Sequence, residues 1–223
     1  MERAMIQELS DKKIYLDLIT EDFITTVQSA ISKKGKAKIL LSGGSSPLEL
    51  YDHWSKLEIP WNKIQIGLVD ERFVEPTDEY SNELLIKNHL IKNKAKNASF
   101  LGMVYDSTDI ILNWNRLEIK YENFYQSDYV LLGMGEDGHT ASIFPNDINS
   151  DLTFDTDSLT AITNAPNYPY KRLTCTPKMI QSASHVTLMI SGEKKRRVFE
   201  ESEKQKLPIA KINSYIHKSF ILI

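Results

Sequence analysis

Short apolar runs in this chain keep stopping at turns that carry glycine or charge, and this recurrence limits the possible folds more than any other feature. Residues 37–41 run into Ser42-Gly-Gly-Ser-Ser-Pro47, and residues 64–69 into Asp70-Glu71-Arg72. Residues 129–132 run into Gly133-Met-Gly-Glu-Asp-Gly-His139, and residues 185–190 into Ser191-Gly192-Glu-Lys-Lys195. Segments with helical spacing lie between them. In residues 12–33 the apolar positions Leu16, Ile19, Phe23, Val27, Ala30 and Ile31 share one helix face, and residues 106–122 repeat the pattern with Ile110, Ile111, Trp114, Leu117 and Tyr121. Further helices are predicted over 81–91 and from Gly192 to about Lys204. Alternating strands and helices predict an α/β fold with a largely parallel sheet. Ligands of such sheets gather beyond the carboxyl ends of the strands, where all these turns fall.

The chain has 223 residues, 41% of them hydrophobic, enough for a core in a single domain spanning 1–223. A formal net charge of −3 argues against a dedicated nucleic-acid binder, which needs clustered Lys and Arg. Charges interrupt the first ten residues, so no signal-peptide core is expected there. No later run approaches membrane-spanning length, and a cytosolic location is expected. The lone Cys175 is expected as a small core residue. No cysteine cluster or His-Glu-x-x-His pattern proposes a metal, and no cofactor is expected.

The turn after Leu132 carries the most chemistry. Gly133, Gly135 and Gly138 let the backbone bend sharply, while Glu136, Asp137 and His139 hang from it. An imidazole titrates near neutral pH and can take or give a proton there. The letters Gly133-Met-Gly-Glu-Asp-Gly138 match a G-x-G-x-x-G dinucleotide fingerprint, but that motif needs a long helix opening at its third glycine. Pro145 follows too soon, and two acids would face the phosphates. The turn after Leu41 suits an anion better. Ser46-Pro47-Leu48-Glu49 has the form of a capping box with proline at the first helical position, so free N–H groups would point into a glycine-opened turn. Without Gly-Lys-Ser/Thr it is no Walker loop, and a single phosphate is expected.

Other segments are expected to be structural. Residues 92–97 form a solvated connection, 159–163 a strand and 219–223 an edge strand. The polar stretch 146–158 is a surface segment or lid. His53, His89, His185 and His217 are expected to pack or face solvent, and Lys194 and Arg196 to be solvated.

Gly43-Gly-Ser-Ser-Pro47, Asp70-Glu-Arg-Phe-Val74 with Ser81-Asn82, and Leu132-Gly-Met-Gly-Glu-Asp-Gly-His-Thr-Ala-Ser-Ile-Phe-Pro145 together resemble the 6-phosphogluconolactonases, the lactone hydrolases of the oxidative pentose phosphate pathway. Ala165-Pro166, Pro169, Arg172-Leu-Thr174 and Gly192 with Lys195 continue the match in order. The resemblance implies the fold shared with glucosamine-6-phosphate deaminase and ribose-5-phosphate isomerase, an α/β fold with a largely parallel Rossmann-like sheet and helices on both faces. It departs at Asn146, where glycine is common, and at the end of the chain, where a tryptophan and an aspartate are missing.

Lactone hydrolysis needs a water nucleophile, a base and stabilisation of an oxyanion. His139 is the expected base, with Asp137 or Glu136 orienting the ring; the family motif favours Asp137. No Gly-x-Ser-x-Gly elbow proposes a serine nucleophile. Gly43, Gly44 and Ser45 are expected to bind the phosphate, with Arg72, Arg172 and Lys195 as candidate counter-charges, and Asp70 as a further substrate contact. Arg72 could instead face the carbonyl. The expected partner is a small sugar-phosphate lactone, with no nucleic acid or membrane, and the chain is expected as a monomer or weak homodimer. An aminosugar-6-phosphate deaminase/isomerase is the nearest rival, but it would continue Gly-His-Ile-Ala-Phe-Asn-Glu-Pro. A non-catalytic sugar-phosphate sensor would need a DNA-binding domain for which the chain has no room.

Overall fold

A computed structural model describes residues 5–223. Its strands are β1 (Met5–Leu9), β2 (Ala37–Leu41), β3 (Ile64–Leu68), β4 (Asp70–Arg72), β5 (Ser99–Leu101), β6 (Tyr129–Gly133), β7 (Thr160–Asn164), β8 (Lys171–Cys175), β9 (Val186–Ser191) and β10 (Lys218–Leu222). Seven of them form one sheet in the order β1-β10-β9-β6-β2-β3-β5, with every neighbouring pair parallel. Ile39, Leu40 and Leu41 on β2, and Val130, Leu131 and Leu132 on β6, are all buried although successive side chains point to opposite faces. Both faces of the central strands are therefore covered, as a parallel sheet requires.

The helices are α1 (Lys12–Lys34), α2 (Leu48–Trp54), α3 (Asn82–His89), α4 (Ile110–Tyr121), α5 (Ile148–Leu152), α6 (Pro177–Gln181), α7 (Glu193–Gln205) and α8 (Pro208–Ile212). Asp11 caps α1 by accepting from Ile14 N–H, and Gly35 ends it in the left-handed region at φ 77°. Ile19, Phe23 and Val27 are fully buried, each worth roughly 1.5–3 kcal/mol relative to exposure. Phe23 stacks on Trp54 of α2 at 3.9 Å and meets Tyr129 of β6 edge-on at 5.5 Å, so aromatic packing locks both helices to the sheet centre. No helix among the described residues is long and apolar enough to cross a membrane.

Several local expectations are corrected. The segment 219–223 is not an edge, because β10 lies between β9 and β1. Strand β1 adds a strand that no clear apolar alternation marks, and its Met5 and Ile6 stay exposed. The capping box does not form: Pro47 itself occupies the N-cap without a side-chain bond, and Glu49 pairs with Lys12 of α1 instead. Helix α4 starts only after its cap Asp109, and Ile111 turns to solvent while Leu117 and Tyr121 are buried. Residues 92–97 are more than a solvated link, since Asn93–Asn97 is a 3-10 turn with Ala95 fully buried.

Asp70, Glu71 and Arg72 are not a loop. Val69 bridges the sheets, donating to Leu41 carbonyl and accepting from Cys175 N–H, and the chain then enters a separate three-stranded antiparallel sheet in the order β4-β8-β7. Cys175 is buried there as a free thiol. The segment 146–158 is pinned rather than loose. Asp147 caps α5, accepts from Asn164 N–H at 3.0 Å, and holds Ser150, whose hydroxyl accepts from Phe144 N–H. Asn146, standing where glycine is common, adopts φ 63°, a left-handed conformation that asparagine tolerates better than most residues.

Candidate active site

The carboxyl ends of β2, β3 and β6 and the start of α7 surround a cleft with two lobes. One lobe, a cavity of about 220 Å³, is lined by Gly43, Gly44, Ser45, Asn82 and Lys195. The other is lined by Asp137, Phe144, Asn167 and Arg172. Asp70, Arg72 and His139 line both and mark where the lobes join.

In the first lobe, Ser42 N–H still pairs with Leu131 carbonyl as β2 ends, and Tyr51 hydroxyl holds Ser42 carbonyl at 2.5 Å. The backbone N–H groups of Gly43, Gly44, Ser45 and Ser46 then donate to no acceptor among the described residues. Gly44 sits at φ 87°, a conformation open to glycine, and a side chain on Gly43 would overlap the Asn82 carboxamide. Unspent N–H groups in so tight a turn form an anion nest. Lys195 adds charge: it lines this lobe and has no carboxylate partner among the described residues, whereas Lys194 pairs with Glu136 and Arg196 with Glu8, Glu193 and Glu200.

His139 is held by the turn that bears it. Gly135 N–H donates to His139 carbonyl at 2.9 Å, and Gly138 turns left-handed at φ 78°. Asp137 Oδ1 accepts from His139 N–H at 3.1 Å and lies 2.5 Å from its ring Nδ1. A carboxylate acceptor at Nδ1 assigns the proton there, leaving Nε2 as the basic nitrogen. Any side chain on Gly135 would overlap both this ring and the Asp137 carboxylate, so the glycine makes room for the pair. Phe144 packs on the imidazole at 4.6 Å between centroids. Burial works against the Asp137 anion, but the His139 ring and N–H outweigh it and hold the carboxyl below its ordinary value. Glu136 points elsewhere, 2.5 Å from Lys194, so Asp137 is the acid in contact with the ring. No helix opens at Gly138, in keeping with rejection of the dinucleotide motif.

Asp70 stands at the junction of the lobes and accepts from Ser142 hydroxyl at 2.5 Å. Arg72 spends Nη1 on Tyr80 carbonyl. Arg172, across the β4–β8 pair from Arg72, lines the second lobe and is separated from the glycine nest. Burial and the neighbouring Arg72 charge lower its guanidinium to about 10, opposed by Asp70 and Glu71.

Two residues without an expected role support this geometry. Glu71 is 1% exposed, and its carboxylate accepts from the N–H groups of Arg72, Asn82 and Glu83 and from Ser81 hydroxyl. Burial pushes it up to about 7 against the pull of those donors. It thereby joins β4 to the N-terminus of α3, where Asn82 donates to Asp70 carbonyl at 2.9 Å and backs Gly43. The sequence signal for both was present in Asp70-Glu71-Arg72 and Ser81-Asn82, but a charge run does not reveal which member turns inward.

Comparison with known proteins assigns kinship. The family model described as glucosamine-6-phosphate isomerases/6-phosphogluconolactonase matches residues 10–220. A 6-phosphogluconolactonase of Helicobacter pylori is 34% identical over 198 residues, covering 87% of this chain and 86% of its own. One from Neisseria meningitidis is 35% identical over 190 residues, covering 82% of each chain. Among solved structures, a 6-phosphogluconolactonase from Shewanella baltica superposes with a TM-score of 0.90 at 28% identity, covering 99% of this chain and 98% of that one.

Proposed function

Because this chain belongs to the glucosamine-6-phosphate isomerase/6-phosphogluconolactonase family, we propose that its cleft is the site of lactone hydrolysis, with His139 as the base. The chain is a carboxylic ester hydrolase that converts 6-phospho-D-glucono-1,5-lactone to 6-phosphogluconate in the oxidative pentose phosphate pathway. The location we assign to this step is the cytosol.

The observation that carries the assignment of roles is that one cavity is lined both by the glycine nest and by His139. The phosphate docks on the N–H groups of Gly43, Gly44 and Ser45, with Lys195 as counter-charge. His139 Nε2 takes a proton from water as it adds to the carbonyl carbon, and Asp137 stabilises the imidazolium that results. Arg72, at the junction of the lobes, faces the carbonyl oxygen as it gains charge, and Asp70 contacts the sugar. When the tetrahedral intermediate collapses, the ring C–O bond breaks and the imidazolium returns its proton to the leaving ring oxygen. Neither metal nor cofactor enters this scheme, and nucleic acid and membrane have no part in it. The working unit is a monomer or weak homodimer.

Proton release from fresh 6-phosphogluconolactone, corrected for spontaneous hydrolysis, tests the reading. Fast release by the wild type, far slower release from unphosphorylated gluconolactone, and a raised KM in Lys195→Ala are expected. Equal rates on the two lactones would refute the phosphate nest.

A further inference from the structure

The second lobe is lined by a buried cation that no acceptor among the described residues serves. Arg172 is 7% exposed, and its Nε and Nη1 have no hydrogen-bond partner among the described residues. Its register partner across the antiparallel pair is Arg72, a like charge. The nearby acids attract it only through space: Asp70 Oδ2 takes the Ser142 hydroxyl, both Glu71 oxygens are filled by donors from Arg72, Ser81, Asn82 and Glu83, and neither acid accepts a hydrogen bond from Arg172 among the described residues. Phe144 neighbours both Arg172 and the base, its ring 6.0 Å from the guanidinium carbon and 4.6 Å from the His139 ring. A buried cation without a partner is strongly unfavourable, and an anion arriving from outside relieves it.

The phosphate already has a site. The nest and Lys195 line the first lobe, which Arg172 does not line, and His139 stands where the two lobes meet. A substrate whose phosphate fills the first lobe and whose ester carbon lies beside His139 therefore turns its reacting carboxyl end toward the second. We propose that Arg172 forms a carboxylate subsite, so that the cleft recognises aldonate 6-phosphates by both anionic ends. This rests on the lactonase reading and adds a role for the far lobe. The lactone is neutral at that end. Water adds to the carbonyl carbon, the ring C–O bond breaks, the ring oxygen leaves as a hydroxyl, and the new acid releases its proton to become a carboxylate. Negative charge thus reaches Arg172 only as the reaction proceeds. Arg172 favours the product side, and product retention is its consequence.

Titration calorimetry on the whole protein with 6-phosphogluconate and glucitol 6-phosphate tests this, because the two differ in having a carboxylate or a CH₂OH at the far end. The wild type is expected to bind 6-phosphogluconate about tenfold or more tightly, the scale of one charge-assisted hydrogen-bonded contact. Arg172→Gln should abolish that preference while leaving glucitol 6-phosphate affinity unchanged, and Arg172→Lys should retain part of it. Lys195→Ala should weaken both ligands by the same factor. Equal wild-type affinities would overturn the proposal whether or not the variants fold, and so would an equal loss of both ligands in Arg172→Gln. Lactone turnover measured on the same wild-type sample separates the two ideas: turnover without carboxylate preference sinks only the subsite, whereas absence of turnover sinks the lactonase reading.

Discussion

Of the three histidine–aspartate pairs among the described residues, one, His89 with Asp52, lies at the surface, and the other two stand at opposite ends of one sheet. At the amino end, His185 Nε2 lies 3.0 Å from Asp22, which also accepts from Thr187 hydroxyl at 2.6 Å and faces Lys218 Nζ at 2.6 Å. Tyr129 stacks on His185, and the Asp22 side chain is 3% exposed. At the carboxyl end, His139 and Asp137 approach to 2.5 Å, yet their side chains keep 32% and 40% exposure and the ring lines a cavity. A carboxylate partner alone does not make a histidine a base. What differs is the surroundings: Asp22 ties an α1 residue to the starts of β9 and β10, whereas the glycine turn leaves one face of His139 open to a ligand. The first pair is a latch, and the second is the one proposed as the tool.

Exchanging the two histidines for alanine tests that contrast most severely. His139→Ala is expected to lower kcat by about 10²-fold to 10⁴-fold with the melting temperature near wild type. His185→Ala should do the reverse, leaving turnover near normal and lowering Tm. Comparable kcat losses in both would erase the distinction. The next largest effect belongs to Asp22→Ala, which strands Lys218 and His185. It should cost about 3 kcal/mol, near the low end for a broken buried pair because Lys218 reaches solvent, or roughly 6–12 °C in Tm by differential scanning calorimetry. Activity at 25 °C should survive.

Gly135→Ala probes the tool end through its backing. The added methyl displaces the His139 ring, and a loss of about 10²-fold in kcat with unchanged circular dichroism is expected. Unchanged kcat would mean that the ring position seen here is not the working one. The smallest effect is a pH dependence at the latch. Burial, together with the neighbouring His185 charge, lowers His217 below its ordinary value. As pH falls below about 6.5, the unfolded chain takes up that proton first, so stability is full above this pH and declines below it. Asp22 shares the direction further down: burial opposes its anion, but His185, Lys218 and Thr187 hold its pKa low, so its contribution persists above the ordinary carboxylate range and is lost only in stronger acid. Tm measured at pH 5.5 and 7.5 should differ less in His217→Gln than in the wild type; an identical slope would remove His217 from the latch.

Much of the site was legible before the fold. Glycine spacing around His139, the strand ends at Leu41 and Val69, and the Gly192-Lys195 turn are local signals, and all of them converge on the cleft. Arg172 was legible as a candidate cation, but not its position in the far lobe. That position depends on β8 pairing antiparallel to β4, an alignment of segments distant in sequence. Glu71 and Asn82 were hidden for a similar reason, since burial is a property of neighbours. The failed capping box at Ser46 and the misjudged edge at 219–223 show the opposite fault: a local pattern was sound, but Glu49 found a better-placed partner in Lys12 and β1 covered β10.

Sequence alone determined the parallel α/β architecture, because apolar periodicity fixes strand and helix where neighbouring residues decide them. It also carried the local geometry of the histidine turn, since glycine conformations and an adjacent acid act within a few residues. Only tertiary structure decided which His–Asp pair is open, which of the cations lack a carboxylate partner among the described residues, and how far the two ends of the cleft reach. Those depend on desolvation and charge pairing between segments that meet only when the chain is folded.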